Sequence, residues 1–153
     1  MLPAAMPGGR DSTEVSKLAT GGQAPLVMLV DDDLAIAEMY MLGLEHAGFR
    51  VRLLADAQAL FRALAEEVPD ILVLDWQLPG MSGAEALELL RRDGRGATLP
   101  VFMLSNYLGD QNGGVDRVFA AGALAWLRKP LTPPSVLAER LTEALSARRR
   151  NTA

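Results

Sequence analysis

The chain of 153 residues contains no cysteine, which excludes disulfides, thiolate metal sites and nucleophilic thiol chemistry. It contains one histidine, His46, so a Ser–His–Asp arrangement or a multi-histidine metal centre is not expected. His46 closes a helical stretch, where a cation complements the helix dipole. No apolar run approaches the ~20 residues of a membrane span. No basic segment followed by an apolar one opens the chain, so no signal peptide is expected. These absences predict a cytoplasmic protein without membrane contact. Aromatic residues make up only 5% of the chain, so leucine, valine and alanine must fill the core. The formal charge of −4 argues against a general binder of phosphate backbones, and no nucleic-acid partner is expected. Half of the residues are hydrophobic, enough for one domain with a core of useful size.

Five short apolar runs punctuate the sequence: Leu26–Val30, Val51–Leu54, Ile71–Leu74, Pro100–Leu104 and Ala123–Leu127. Runs of this length and composition suit strands buried on both faces of a parallel sheet. Helical spacing separates them. Leu34–Ala47 places Ile36, Tyr40, Gly43 or Leu44, and Ala47 on one face before a stop at Gly48. Asp56 caps a helix to about Val68, with Leu60, Leu64 and Val68 aligned. A third helix spans about Gly83 to Asp93, with Leu87 and Leu90 inward. A fourth follows Tyr107–Gly114, whose three glycines weaken its start, and carries Val115, Val118 and Phe119 as its apolar stripe. Thr132 caps the last helix, with Pro133-Pro134 in its first turn. That helix packs through Val136 or Leu137, Leu141 and Leu145 and ends in Arg148-Arg149-Arg150. Residues 1–24, rich in Gly, Pro, Ala, Ser and Thr, are predicted as a flexible tail in which a short helix around Glu14–Leu18 has weak support. Residues 25–148 form the domain, and 149–153 a short C-terminal tail.

Strands alternating with helices imply a parallel sheet with right-handed crossovers, whose carboxyl ends share one edge. Open α/β sheets place their chemistry there. Four of the five runs end at that edge in a reactive polar group: Asp31-Asp32, Asp75, Ser105 and Lys129. Asp33, next in line, suffices as a helix cap. Three close carboxylates call for a hard divalent cation, and Mg²⁺ accepts one or two carboxylates plus phosphate oxygens and waters. A lysine and a hydroxyl supply donors to a phosphoryl group, and a carboxylate can itself become an acyl phosphate. The predicted chemistry is transfer of a phosphoryl group onto an aspartate.

The ordered motifs carry a resemblance. Val-Asp-Asp follows the first run, Asp75-Trp-Gln-Leu-Pro-Gly-Met-Ser-Gly83 the third, Ser105 ends the fourth, and Lys129-Pro130 the fifth. Together they resemble the receiver domain of two-component response regulators over about Leu26 to Ala147. The resemblance implies a flavodoxin-like doubly wound α/β fold, a five-stranded parallel sheet of order 2-1-3-4-5 with five helices. It implies Asp75 as phosphoacceptor, Asp32 as direct Mg²⁺ ligand, Asp31 acting through water, and Gln77 offering its backbone carbonyl. Ser105 would move toward the phosphoryl group, Lys129 would pair with it, and Trp126 would be the aromatic that changes rotamer. The Lys129–Pro130 bond would be the one often cis in that family.

The implied partners are a histidine kinase or histidine phosphotransfer protein, and a downstream protein met by the face of the fourth helix, fifth strand and fifth helix. The implied state is a monomer or phosphorylation-dependent homodimer, acting alone, and catalysing only its own phosphorylation and dephosphorylation. Asn106, Leu131, the somewhat long Ser105–Lys129 segment and Gly113-Gly114 depart from the usual pattern. A haloacid-dehalogenase-type hydrolase would need an aspartate where Gln77 stands. A flavodoxin-like carrier would need a phosphate loop where Asp31–Asp33 stand. A degenerate receiver serving as a binding scaffold without phosphorylation is the alternative.

Overall fold

The computed structural model describes residues 14–106 and 113–152. Five parallel strands form one sheet: β1 (Leu26–Val30), β2 (Arg50–Leu54), β3 (Ile71–Asp75), β4 (Val101–Ser105) and β5 (Ala125–Arg128), in the order β2-β1-β3-β4-β5. The helices are α1 (Leu34–Ala47), α2 (Ala57–Glu66), α3 (Gly83–Arg92), α4 (Gly114–Ala120) and α5 (Pro134–Thr152). A further helical turn covers residues 14–16. This is the predicted flavodoxin-like order.

The sheet is the middle of three layers. β1, β3 and β4 are buried along their whole length, which is why their sequences run apolar without alternation. One face packs Met28, Leu72, Leu74 and Met103 against Leu60 and Leu64 of α2, Leu87 and Leu90 of α3, and Val118 of α4. The other packs Val27, Leu29, Val73 and Leu104 against Tyr40 and Leu44 of α1 and Leu137 and Leu141 of α5. Local signals place the helix starts. The carboxylates of Asp33 and Asp56 accept from the amides of Ile36 and Ala59, and Ser82 Oγ accepts from Glu85 N.

Several boundaries differ from expectation. α2 stops at Glu66, and Val68 lies exposed beyond it, where its apolar spacing has no helix to continue. Phe119 is exposed, leaving Val118 to carry the burial of α4. The last strand begins at Ala125 rather than Ala123. Pro133, not Thr132, immediately precedes α5, and Leu137 rather than Val136 faces inward. The Lys129–Pro130 bond is trans, inside a 3₁₀ turn over Lys129–Leu131. Residues 107–112, most of the predicted weak start of the fourth helix, lie outside the described residues.

The tail boundaries also shift. Residues 1–13 lie outside the described residues, but Val15 and Leu18 are buried in the core beside α1 and α5. An antiparallel bridge between Thr20 and Gln23 turns the chain into β1. Arg149 bonds to the carbonyl of Lys17, and Arg50 Nε donates to that of Ala24. Low-complexity composition concealed two apolar anchors that the amino edge of the sheet buries. At the other end α5 continues to Thr152, so residues 149–152 are helical rather than a tail. Arg148, near the end of α5, donates to the Thr98 carbonyl at 3.0 Å.

Candidate functional site

The carboxyl edge of the sheet carries the predicted residues. Asp31 follows β1, Asp75 ends β3, and Lys129 follows β5. Because neighbouring strands are parallel and in register, their ends come together without any long loop. One carboxylate oxygen from each of Asp31, Asp32 and Asp75 falls within 4.8 Å of the others. Asp31 and Asp75 are buried, while Asp32 is exposed to solvent. Lys129 Nζ lies 2.7 Å from Asp31 Oδ2 and 3.3 Å from Asp75 Oδ2. Asp31 Oδ1 accepts from Asp33 N at 2.9 Å, and Asp75 Oδ1 from Gln77 N at 3.4 Å.

The loop after β3 is shaped to hold Asp75 at this edge. Gln77–Leu78 and Met81–Ser82 pair antiparallel around Pro79-Gly80. Gly83, the first residue of α3, donates to the Trp76 carbonyl at 2.6 Å. A Cβ at Gly83 would stand 2.6 Å from the Asp75 carbonyl oxygen, so only glycine permits this approach. A cleft of about 750 Å³ opens above, lined in part by Asp31, Asp32, Asp75, Gln77, Asn106 and Lys129.

Burial pushes the Asp75 carboxyl up to about 6. The Lys129 charge opposes that rise, and Asp31 adds to it. Burial would likewise push the Lys129 ammonium down, but its bond to Asp31 and the charges of Asp75 and Asp31 lift it above its ordinary value. Lys129 is therefore a fixed cation between two buried carboxylates. Among the described residues lining the cleft, four aspartates, Asp31, Asp32, Asp33 and Asp75, accompany one lysine, Lys129. An excess of hard oxygen donors within 4.8 Å, one of them exposed to solvent, fits Mg²⁺ with part of its water shell retained.

Neither Ser105 nor Trp126 is among the residues that line the cleft. Ser105 ends β4, fully buried and in register with Arg128. Asn106, exposed, takes the place on the rim of the cleft. Trp126 lies against Trp76, with ring centroids 5.3 Å apart and planes tilted by 51°. Two further residues escaped the sequence reading. Tyr40 donates to the carbonyls of Thr132 at 2.7 Å and Lys129 at 3.3 Å, fastening the backbone behind the lysine. Its place on the apolar face of α1 was visible, but its hydroxyl's partners, some ninety residues away, were not. Trp76, next to Asp75, lines the cleft and also touches α4.

Comparison with known proteins gives one consistent result. The family model described as the response regulator receiver domain matches residues 27–142. The chain is 31% identical over 112 residues to the phosphate regulon transcriptional regulatory protein PhoB of Pseudomonas aeruginosa, covering 73% of this chain and 48% of that protein. It is 36% identical over 117 residues to the DNA-binding dual master transcriptional regulator RpaA of Synechocystis, covering 74% and 46%. The chain thus spans about half the length of these curated relatives. Among solved structures it resembles a CheY-like response regulator receiver domain protein from Methanospirillum hungatei, with a TM-score of 0.75, 27% identity, and coverage of 83% and 98%. A putative response regulator from Chloroflexus aurantiacus gives a TM-score of 0.71 at 34% identity, covering 80% and 98%.

Proposed function

The chain belongs to the response regulator receiver domain family, and we propose that it is a phosphoryl-accepting member in which Asp75 is the phosphoacceptor. One observation carries this reading: a buried carboxylate, Asp75, held 3.3 Å from Lys129 and within 4.8 Å of Asp31 and Asp32 at the carboxyl edge of the sheet. Asp75 uses a carboxylate oxygen to attack the phosphorus of a phosphohistidine on a kinase or phosphotransfer protein. The P–N bond breaks, its electron pair stays on the imidazole, and an acyl phosphate forms. Asp32, Asp75 and the Gln77 carbonyl would hold Mg²⁺ directly and Asp31 through water. Bound there, the ion supplies charge neutralisation and orientation. Lys129 keeps its proton and pairs with the phosphoryl oxygens once they arrive. The chain acts as an enzyme only on its own phosphorylation state.

Output follows from the hydroxyl and the aromatic. The Ser105 hydroxyl would donate to a phosphoryl oxygen and draw the end of β4 toward Asp75, opening room into which Trp126 turns. The face of α4, β5 and α5 then changes for a protein partner. The DNA-binding description of RpaA belongs to that longer protein. For this chain, with a formal charge of −4 over its 153 residues, we propose protein contact rather than nucleic acid, in the cytoplasm, as a monomer or phosphorylation-dependent homodimer. The test is incubation with acetyl phosphate and Mg²⁺ followed by intact mass. Wild type should gain one phosphoryl group and Asp75→Asn none. Labelling that persists in Asp75→Asn would overturn the assignment.

A further inference from the structure

Trp76 makes three contacts that the reading above does not use. Its backbone is fixed, because its carbonyl accepts from Gly83 N at 2.6 Å and the next amide, Gln77 N, donates to Asp75. Its ring is free of those bonds and leans on Trp126 at 5.3 Å. The far edge of the same ring rests on Gly114, the first residue of α4. A Cβ on Gly114 would stand 2.3 Å from Trp76 Cη2 and 2.7 Å from Cζ2. One indole therefore touches the aromatic of β5 and the start of α4, one residue from the phosphoacceptor.

The Trp126 position needs such support. Its indole N–H is buried and has no hydrogen-bond partner among the described residues. A buried donor without an acceptor disfavours the conformer that holds it, so packing must hold the ring in place. Trp76 is the aromatic that supplies it. Trp126 cannot turn without losing this contact, and Trp76, once released, no longer has Trp126 to press it onto Gly114.

We propose that Trp76 is a positioning residue of the switch: wedged between Trp126 and Gly114, it holds α4 in the resting arrangement and leaves Gly114 when Trp126 turns. This rests on the phosphoryl-accepting reading. Contacts made only in the resting state oppose any ligand that favours the other state, and removing them raises that ligand's apparent affinity. Gly114→Ala is a clean way to remove them. The glycine has no left-handed φ that a side chain would strain, and alanine is the better helix former. The new methyl must displace the Trp76 ring. Trp76→Phe shortens the ring away from Gly114 by the opposite route.

The experiment titrates the intact protein with beryllofluoride, a tetrahedral stand-in for the phosphoryl group, in saturating Mg²⁺, with binding counted by fluorine NMR. Circular dichroism reports the tryptophan pair, because two indoles in oblique contact couple their transitions, and Trp76→Phe identifies that signal by abolishing it. The wild-type couplet should diminish as beryllofluoride saturates. Gly114→Ala should show a diminished couplet before any ligand is added. Both variants should bind beryllofluoride about 2- to 12-fold more tightly than wild type, the range expected from one aromatic contact. Wild-type midpoints in both variants, or a couplet unchanged at saturation, would reduce Trp76 to a packing residue and overturn the proposal. Absence of beryllofluoride binding in wild type would overturn the phosphoryl-accepting reading, and the wedge with it.

Discussion

Replacing Asp75 with asparagine tests the electrostatics of the site through stability alone, because the change removes a charge and keeps the shape. Asp75 is 8% exposed. Burial pushes its carboxyl from 3.8 to about 6, against the opposing pull of Lys129. The folded state therefore holds this proton more tightly than the unfolded chain does. Between those two values it binds more protons, so its stability falls as pH rises through the window. That is the reverse of an ordinary salt-bridged carboxylate, which gains stability over the same range. The gap from 3.8 to about 6 corresponds to about 3 kcal/mol in full, and about 2 kcal/mol of it falls between about pH 4.5 and about pH 8. Lys129 stays protonated throughout, since its ammonium is held above its ordinary value, and adds no slope. Asparagine does not titrate. The stability of Asp75→Asn minus that of wild type should therefore grow by about 2 kcal/mol from the acid to the alkaline end. Urea unfolding followed by circular dichroism, in chelator-containing buffer, measures both proteins, and titrations common to the two cancel in the difference. A difference that stays flat across the interval would refute the claim that burial outweighs Lys129 at Asp75.

Mg²⁺ titration of wild type, Asp32→Ala and Asp31→Ala, followed by Trp76 emission, should show Asp32→Ala the weakest binder and Asp31→Ala weakened by about tenfold, as for loss of an outer-shell partner. Equal affinity in wild type and Asp32→Ala would remove Asp32 from the ligand set. Leu18→Ala should lower unfolding stability by about 2 kcal/mol, the low end for a buried leucine, because Leu18 is buried in the core beside α5. Unchanged stability would show that burial of Leu18 contributes nothing to the fold.

The site was legible because its parts are local to strand ends. A fully buried strand must be apolar throughout, so the first polar residue after the run marks where it leaves the core. Asp31, Asp75 and Ser105 were found this way and Lys129 one residue further on, past Arg128, and the parallel register that brings Asp31, Asp75 and Lys129 together follows from strand and helix alternation alone. Helix caps were equally local, since Asp33 and Asp56 each bond an amide three residues on. Boundaries set by tertiary contact were less legible. Val68 and Phe119 have the right spacing for buried positions, but the helix ends before Val68, and within α4 it is Val118 that is buried while Phe119 is exposed. Val15 and Leu18 sit in a segment whose composition reads as a tail, yet two apolar side chains suffice when the amino edge of a sheet would otherwise lie open to water.

The contacts around Trp76 were illegible for a different reason. Glycine beside a helix start reads from sequence as a weak helix, and Gly113-Gly114 was understood that way. At Gly114 the missing side chain is instead filled by the indole of Trp76, which follows β3. The same substitution of space for a side chain operates at Gly83, where the backbone of β3 approaches. Both glycines adjoin the segment Asp75–Trp76. A single acyl phosphate can move only what is packed closely against it. These two approaches give that segment contact with α3 and α4 at once. The proposed chemistry thus falls on polar residues that announce themselves in the sequence, while the close approaches at Gly83 and Gly114 depend on absent side chains, which become readable only once the neighbours that fill them are in place.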